Sequence, residues 1–325
     1  MRRIDCHVHL VGDGTSGSGC WIRLRSMLHK LQARLMLKGA GISGVTPGKG
    51  LDEAYAAALK GMVESAPSLD AVCLLAQDIP YTDSGEALPE KGGFYVPNEY
   101  LFSVVDTAPG LFIPTVSIHP GKPGAMEELE ACIEKGGKLL KLLPNCLNVD
   151  CSHRKYQKFW ERIAEAGILF LSHTGGEMTL PVLKPEYANP ENLVLPLECG
   201  VTVIAAHCAG RSGLRDPDYT EILLGMFDKY PNLYGDNSAF SGFNRCRTAA
   251  RVLQSEMTGR ILHGSDFPIP VTGLGLCKMG LISKQDHKKA ASESNPLERD
   301  CIIKKAMGFD EASFTKVGEL LAGQA

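Results

Sequence analysis

Eight short apolar segments, alternating with stretches of helical periodicity, set the strongest limit on how this chain can fold. The segments are Arg3–Leu10, Ala71–Ala76, Phe112–Ile118, Lys138–Leu143, Ile168–His173, Val201–His207, Leu233–Asp236 and Ile261–Asp266. Helix-patterned stretches lie between them: Trp21–Lys38, Leu51–Glu64, Ala125–Lys135, His153–Ala166, Pro190–Cys199, Pro217–Lys229 and Asn244–Met257. Leu51–Glu64 is alanine-rich with acids in its first turn, as a helix prefers. Parallel strands need crossovers, so this alternation implies a parallel sheet. Eight units imply a closed barrel more than an open sheet, and no G-x-G-x-x-G follows the first strand. The expected fold is therefore α/β, a (β/α)8 TIM barrel forming one domain over residues 1–325, with inserted loops after strands 1 and 2.

The first insertion joins a polar loop, Val11–Gly19, to a segment broken by glycine and proline between Gly39 and Gly50. The second, Gln77–Gly110, carries many prolines, glycines and aromatics, with a short helix expected near Val96–Val105. A connection this long in a compact domain is usually a lid or a substrate loop. Beyond Pro270 the reading is a polar stretch, Lys284–Arg299, and a last amphipathic helix near Asp310–Leu321.

Bulk properties narrow the class. A net charge of −3 gives no electrostatic footprint for nucleic acid or an anionic membrane. No apolar run is long enough to span a membrane, and no signal-like stretch follows Met1. The eleven cysteines are odd in number, include no CxxC pair, and fall in expected strands and helices. Reduced, buried thiols and a cytoplasmic location follow. Cys6 has the parity that points away from its histidine neighbours, and Cys208 is the thiol nearest a candidate ligand.

The chemistry sits at strand ends. His7 and His9 lie two apart, so one strand aims both imidazoles to one side. His173, His207 and Asp266 each end a later apolar run. Ligands at the C-terminal ends of several strands are how a parallel barrel builds an active site. Imidazole and carboxylate suit a divalent ion, most readily zinc.

The sequence Asp5-Cys-His-Val-His9 resembles the D-x-H-x-H opening of the amidohydrolase superfamily of metal-dependent TIM barrels. Ser172-His173-Thr-Gly resembles that superfamily's strand-five motif, Ala206-His207-Cys-Ala-Gly its strand six, and Gly264-Ser265-Asp266-Phe-Pro268 its strand eight. The last motif, with Lys138-Leu-Leu-Lys-Leu-Leu-Pro144, looks most like the amidohydrolase 2 branch, which contains hydrolases and metal-dependent decarboxylases. The resemblance implies that His7, His9 and His173 are metal ligands. It makes Asp266 a ligand and the proton acceptor for a metal-bound water. His207 becomes a catalytic group beside the metal, or a ligand to a second ion. The reaction it implies is hydrolysis of a small C–N or C–O substrate, an amide or a lactone, with decarboxylation of a small carboxylic acid as the alternative. The chain departs from the usual K-L-H-P motif, since Leu143 stands where a histidine often precedes the proline.

Other positions carry open readings. Lys141 is carboxylated and bridges two metals, binds a substrate carboxylate as a cation, or snorkels to solvent. His119 contacts substrate or caps its loop. Arg211 clamps an anion or lies solvated at the surface. Asn237 and Ser238 end strand seven and face substrate. His29, His153, His263 and His287 match no motif position and are read as helix-surface, helix-start, structural and tail residues. The partner expected is an anionic small molecule, with self-association into a homo-oligomer as a further expectation.

Overall fold

The computed structural model describes residues 1–24, 27–39, 41–42, 48, 50–255 and 257–323, except the side chains of Leu28, His29 and Gln32. The surface position expected of His29, and most of the broken 39–50 segment, therefore lie outside the described residues. Eight parallel strands form the barrel: β1 (Ile4–His9), β2 (Ala71–Leu75), β3 (Phe112–Val116), β4 (Leu139–Leu142), β5 (Leu169–Ser172), β6 (Val203–Ala205), β7 (Leu233–Asp236) and β8 (Ile261–Leu262). Each pairs with the next in chain order. The ring closes where Cys6 N donates to His263 O at 2.9 Å, Asp266 N to His7 O at 2.8 Å and His9 N to Phe267 O at 2.8 Å. The TIM-barrel expectation holds.

Alternate residues divide the strands between two cores. Cys73, Leu139, Leu169, Leu171 and Ile204 fill the barrel interior, and Val317 of the helix Glu311–Ala322 joins them near the start of β1. Val72, Leu140, Phe170 and Val203 face outward against the helices. Trp160 of the helix Gln157–Glu165 lies 4.8 Å from the Phe170 ring. Truncating a buried ring of this size typically costs about 3–5 kcal/mol.

β1 breaks the simple alternation. Asp5 pairs with Val72 and Val8 with Leu74, so Cys6 and His7 together oppose Cys73. This bulge lets both face inward. Cys6 thus packs in the inner cluster with Cys73 instead of pointing away, as plain parity implied. His7 and His9 keep their shared side.

Two local expectations change. Trp21–Ile22 is not the start of a helix but pairs antiparallel with Phe94–Tyr95. The Trp21 ring lies 6.0 Å from Tyr95, a cross-strand aromatic pair that ties the two inserted loops together. The helix itself begins at Met27. The polar stretch Lys284–Arg299 is largely helical, as Lys284–Ser292 and the start of Pro296–Ala306. That second helix buries Asp300, Cys301 and Lys304, and its polar pattern masks this. None of the eleven cysteines forms a disulfide; nine are buried. No helix among the described residues is long and apolar enough to cross a membrane.

Candidate metal centre

The C-terminal ends of β1, β5, β6, β7 and β8 bring four imidazoles and two carboxylates together. The His7 ring stands 5.2 Å from that of His9 and 5.1 Å from that of His207, which lies 5.0 Å from that of His173. Asp266 Oδ1 is 3.3 Å from both His7 Nε2 and His9 Nε2. All of these residues except Asp236 line one cavity of about 810 Å³, within the range of small-molecule sites.

Asp236, at the end of β7, orients the cluster. Its Oδ2 lies 2.8 Å from His7 Nδ1. Its Oδ1 accepts from His207 N at 2.7 Å, from Ser238 N at 3.0 Å and from Ser238 Oγ. Burial pushes the Asp236 carboxyl up, but His7 and these donors outweigh it and hold it below the usual range. His7 therefore carries its proton on Nδ1 and presents Nε2 to the cavity. Burial and the Lys141 ammonium together lower the His7 pKa to about 4. Burial likewise holds His173 and His207 neutral, their pKa values lying well below the ordinary one.

The backbone at these strand ends is unusual. His207, Cys208 and Ala209 all have positive φ, as does Asp266 at 63°. Non-glycine residues enter this region at a cost and cluster at functional sites. The loops after β5 and β6 also approach closely, since a Cβ on Gly175 would meet Gly210 O at 2.2 Å. Only glycine fits at that point in the His173-Thr-Gly motif.

Two overlapping groups have donor atoms mutually within 4.8 Å: His7–His9–Asp266 and His7–His207–Asp236. In the second, the Asp236 oxygens are already taken by His7, His207 and Ser238. In the first, the nitrogens face the cavity. His173 Nε2 is buried beside it with no hydrogen-bond partner. Buried polar atoms are rarely left so, yet His173 belongs to neither group of donors mutually within 4.8 Å. The donor set of the first group, two imidazoles and a carboxylate, suits a divalent cation, and His173 is the further imidazole that the sequence resemblance adds. Burial raises the Asp266 carboxyl, but His7, His9 and Lys141 reverse this and keep it ionised.

Lys141 is fully buried, and its Nζ lies 3.1 Å from His7 Nε2. Burial lowers its pKa to about 8 against the pull of Asp236 and Asp266. It does not snorkel to solvent. The remaining positions lie apart. His119 is held by backbone on both ring nitrogens, Nε2 against Leu147 O at 3.0 Å and Nδ1 accepting from Gly121 N at 3.0 Å. It does not line the cavity. Arg211 pairs with Asp218 at 3.1 Å with its side chain 42% exposed. Asn237 is buried and accepts from Gly264 N at 3.1 Å, behind the site. Ser238 Oγ is 2.7 Å from His207 Nδ1, so Nε2 of His207 is its free nitrogen. Cys208 donates to Asp236 O at 3.1 Å, and burial holds its thiol well above its ordinary pKa.

Three groups escaped the sequence reading. Asp236 ends β7 as the other polar residues end their strands, and the same rule applied there would have found it. Glu177 lines the cavity with Oε2 3.7 Å from His173 Nε2. Its Oε1 accepts from Thr179 N and Oγ1 and from Leu180 N. Arg245 also lines the cavity, and nothing in its local sequence marks it.

The family model described as amidohydrolase, of the second type, matches residues 4–276. No curated protein matches the chain. An uncharacterised TIM-barrel protein from Bordetella bronchiseptica aligns over 100% of this chain and 99% of its own, at 15% identity and TM-score 0.63. 2,6-Dihydroxybenzoate decarboxylase from Rhizobium aligns over 100% of both chains, at 12% identity and TM-score 0.55. 4-Oxalomesaconate hydratase from Rhodopseudomonas palustris covers 99% of this chain and 98% of its own, at 14% identity and TM-score 0.52. At these identities the likeness is one of fold.

Proposed function

The chain belongs to the amidohydrolase family, a family of metal-dependent enzymes, and from that premise we propose that it is a zinc-dependent hydrolase of a small anionic amide or lactone. The observation that carries this reading is the position of Asp266 Oδ1, 3.3 Å from the Nε2 atoms of both His7 and His9. His7, His9, His173 and Asp266 would hold the ion. When bound, a divalent ion supplies a water acidified toward neutrality and a Lewis acid for the substrate carbonyl. Asp266, which is ionised, would accept a proton from such a water at a carboxylate oxygen and later pass it to the leaving group. His207, its Nδ1 engaged by Ser238, presents Nε2 toward the substrate oxygen. Lys141 remains an uncarboxylated ammonium and offers its charge to a substrate oxygen.

A second reading, loss of carbon dioxide from a small carboxylic acid, is favoured by the cavity's apolar walls, among them Phe94, Leu143, Phe243 and Ile269. Such walls strip water from a carboxylate, which weakens the ground state relative to its neutral product. The dihydroxybenzoate decarboxylase among the fold neighbours is compatible with this reading. Product analysis separates the two. Zinc-loaded protein supplied with a panel of lactones, amides and aromatic or muconate-like acids should open the former and release no carbon dioxide from the latter. Carbon dioxide release without hydrolysis would replace the first reading by the second.

A further inference from the structure

Arg245 is a buried cation with no ion-pair partner among the described residues. It is 5% exposed and stands just before the helix Cys246–Gln254. Nη1 donates to Gly210 O and Nη2 to Gly176 O, each at 2.8 Å. Those carbonyls belong to the loops after β6 and β5, so two neighbouring walls of the cavity fix the guanidinium plane. A guanidinium carries five N–H donors in a rigid fork. The two bonds leave Nε and one N–H on each terminal nitrogen unpaired, on a side chain that lines the cavity. Among the described residues no carboxylate lies within the 4.0 Å of an ion pair. Leaving a charge buried and unpaired is costly, and proteins tolerate it where a ligand supplies the partner.

The cavity's walls are apolar, so the rest of the ligand has little polar recognition to find.

The geometry points to Arg245 as the carboxylate-binding group of the site: the substrate is a carboxylic acid whose carboxylate docks on the Arg245 fork, apart from the group that reacts at the ion. This rests on the metal-dependent reading above. The planar fork matches a carboxylate with two parallel hydrogen bonds, which an amide cannot reproduce.

The test uses zinc-loaded protein and a matched pair of probes, benzene-1,3-dicarboxylate and its monoamide, 3-carbamoylbenzoate, titrated by calorimetry with zinc content measured on the same samples. One carboxylate of either probe can reach the ion; only the dicarboxylate has a second for Arg245. Wild type should prefer the dicarboxylate by about tenfold or more, as a bidentate charged pair implies. Arg245→Gln should bind both probes equally, and Arg245→Lys should regain part of the preference. A merely structural role would weaken both probes together. A preference that survives in Arg245→Gln, or a wild type that fails to distinguish the probes or binds neither, overturns the assignment. If zinc is bound while the preference is absent, only this inference fails; if no zinc binds, the metal-dependent reading falls with it.

Discussion

Asp236 Oδ2 and His7 Nδ1 lie 2.8 Å apart, and this one contact decides which nitrogen of His7 faces the cavity. A carboxylate behind a histidine fixes its tautomer and strengthens it as a ligand. Asp236→Asn leaves the shape but removes the charge. Zinc affinity should fall by about 10–100-fold, the usual loss when such a support is removed. Competition against a fluorescent chelator checks this, and an unchanged affinity would mean that His7 needs no orientation from β7.

Asp266 is asked to do two things, to hold the ion and to move a proton. Asp266→Ala should lower kcat by about 10³-fold, within the range for a lost general base. Bound zinc should fall as well, which metal analysis of the same sample reads. Full activity in this variant would remove the proposed chemistry.

Lys141 donates to the lone pair of His7 Nε2 that an ion would occupy. Ion and ammonium therefore compete, and like charges at this range repel. Lys141→Met should bind zinc at least as tightly as wild type while its KM for an anionic substrate rises. The Lys141 peptide, isolated under conditions that preserve a carbamate, should have the mass of unmodified lysine. A carbamate there, with two zinc ions per chain, would replace the cation by a bridging ligand.

A carboxylate outside the cavity lining, that of Asp52, holds the first inserted loop. Asp52, buried in the helix Leu51–Glu64, accepts from the backbone of Asp13, Gly14 and Ser16 and from the hydroxyls of Ser16 and Ser18. Burial raises its pKa, but these donors win and bring it from 3.8 to about 2. A depressed carboxyl contributes stability that is present above its unfolded pKa and lost as pH falls through its folded one. The contribution is about 2 kcal/mol, disappearing between about pH 4 and about pH 2. Urea unfolding of wild type and Asp52→Asn across that window should show the gap between them closing as pH falls. A constant gap would assign the difference to packing instead.

The barrel could be read from the chain because apolar runs and helical periods alternate, and a parallel sheet leaves such runs with few other arrangements. The strand-end histidines were legible for the same reason: each interrupts an apolar run where the strand leaves the core. The inward turn of Cys6 was not, because a β-bulge depends on pairing with β2 and leaves no trace in local parity. Trp21–Ile22 was drawn into the neighbouring helix, since its partner Phe94–Tyr95 lies across a long insertion. Arg245 escaped because its role comes from carbonyls on two distant loops. His119 and Arg211 occupy the expected strand-end regions, yet His119 is held by backbone groups and Arg211 by Asp218.

The account depends most on which donors grip the ion. Anomalous diffraction at the zinc edge from zinc-loaded crystals tests this directly, because the two overlapping donor groups are geometrically distinct. The account predicts a peak bonded to His7 Nε2, His9 Nε2, His173 Nε2 and Asp266. A peak bonded instead to His7 Nδ1, His207 and Asp236, or no peak at the cavity in zinc-loaded protein, would contradict it.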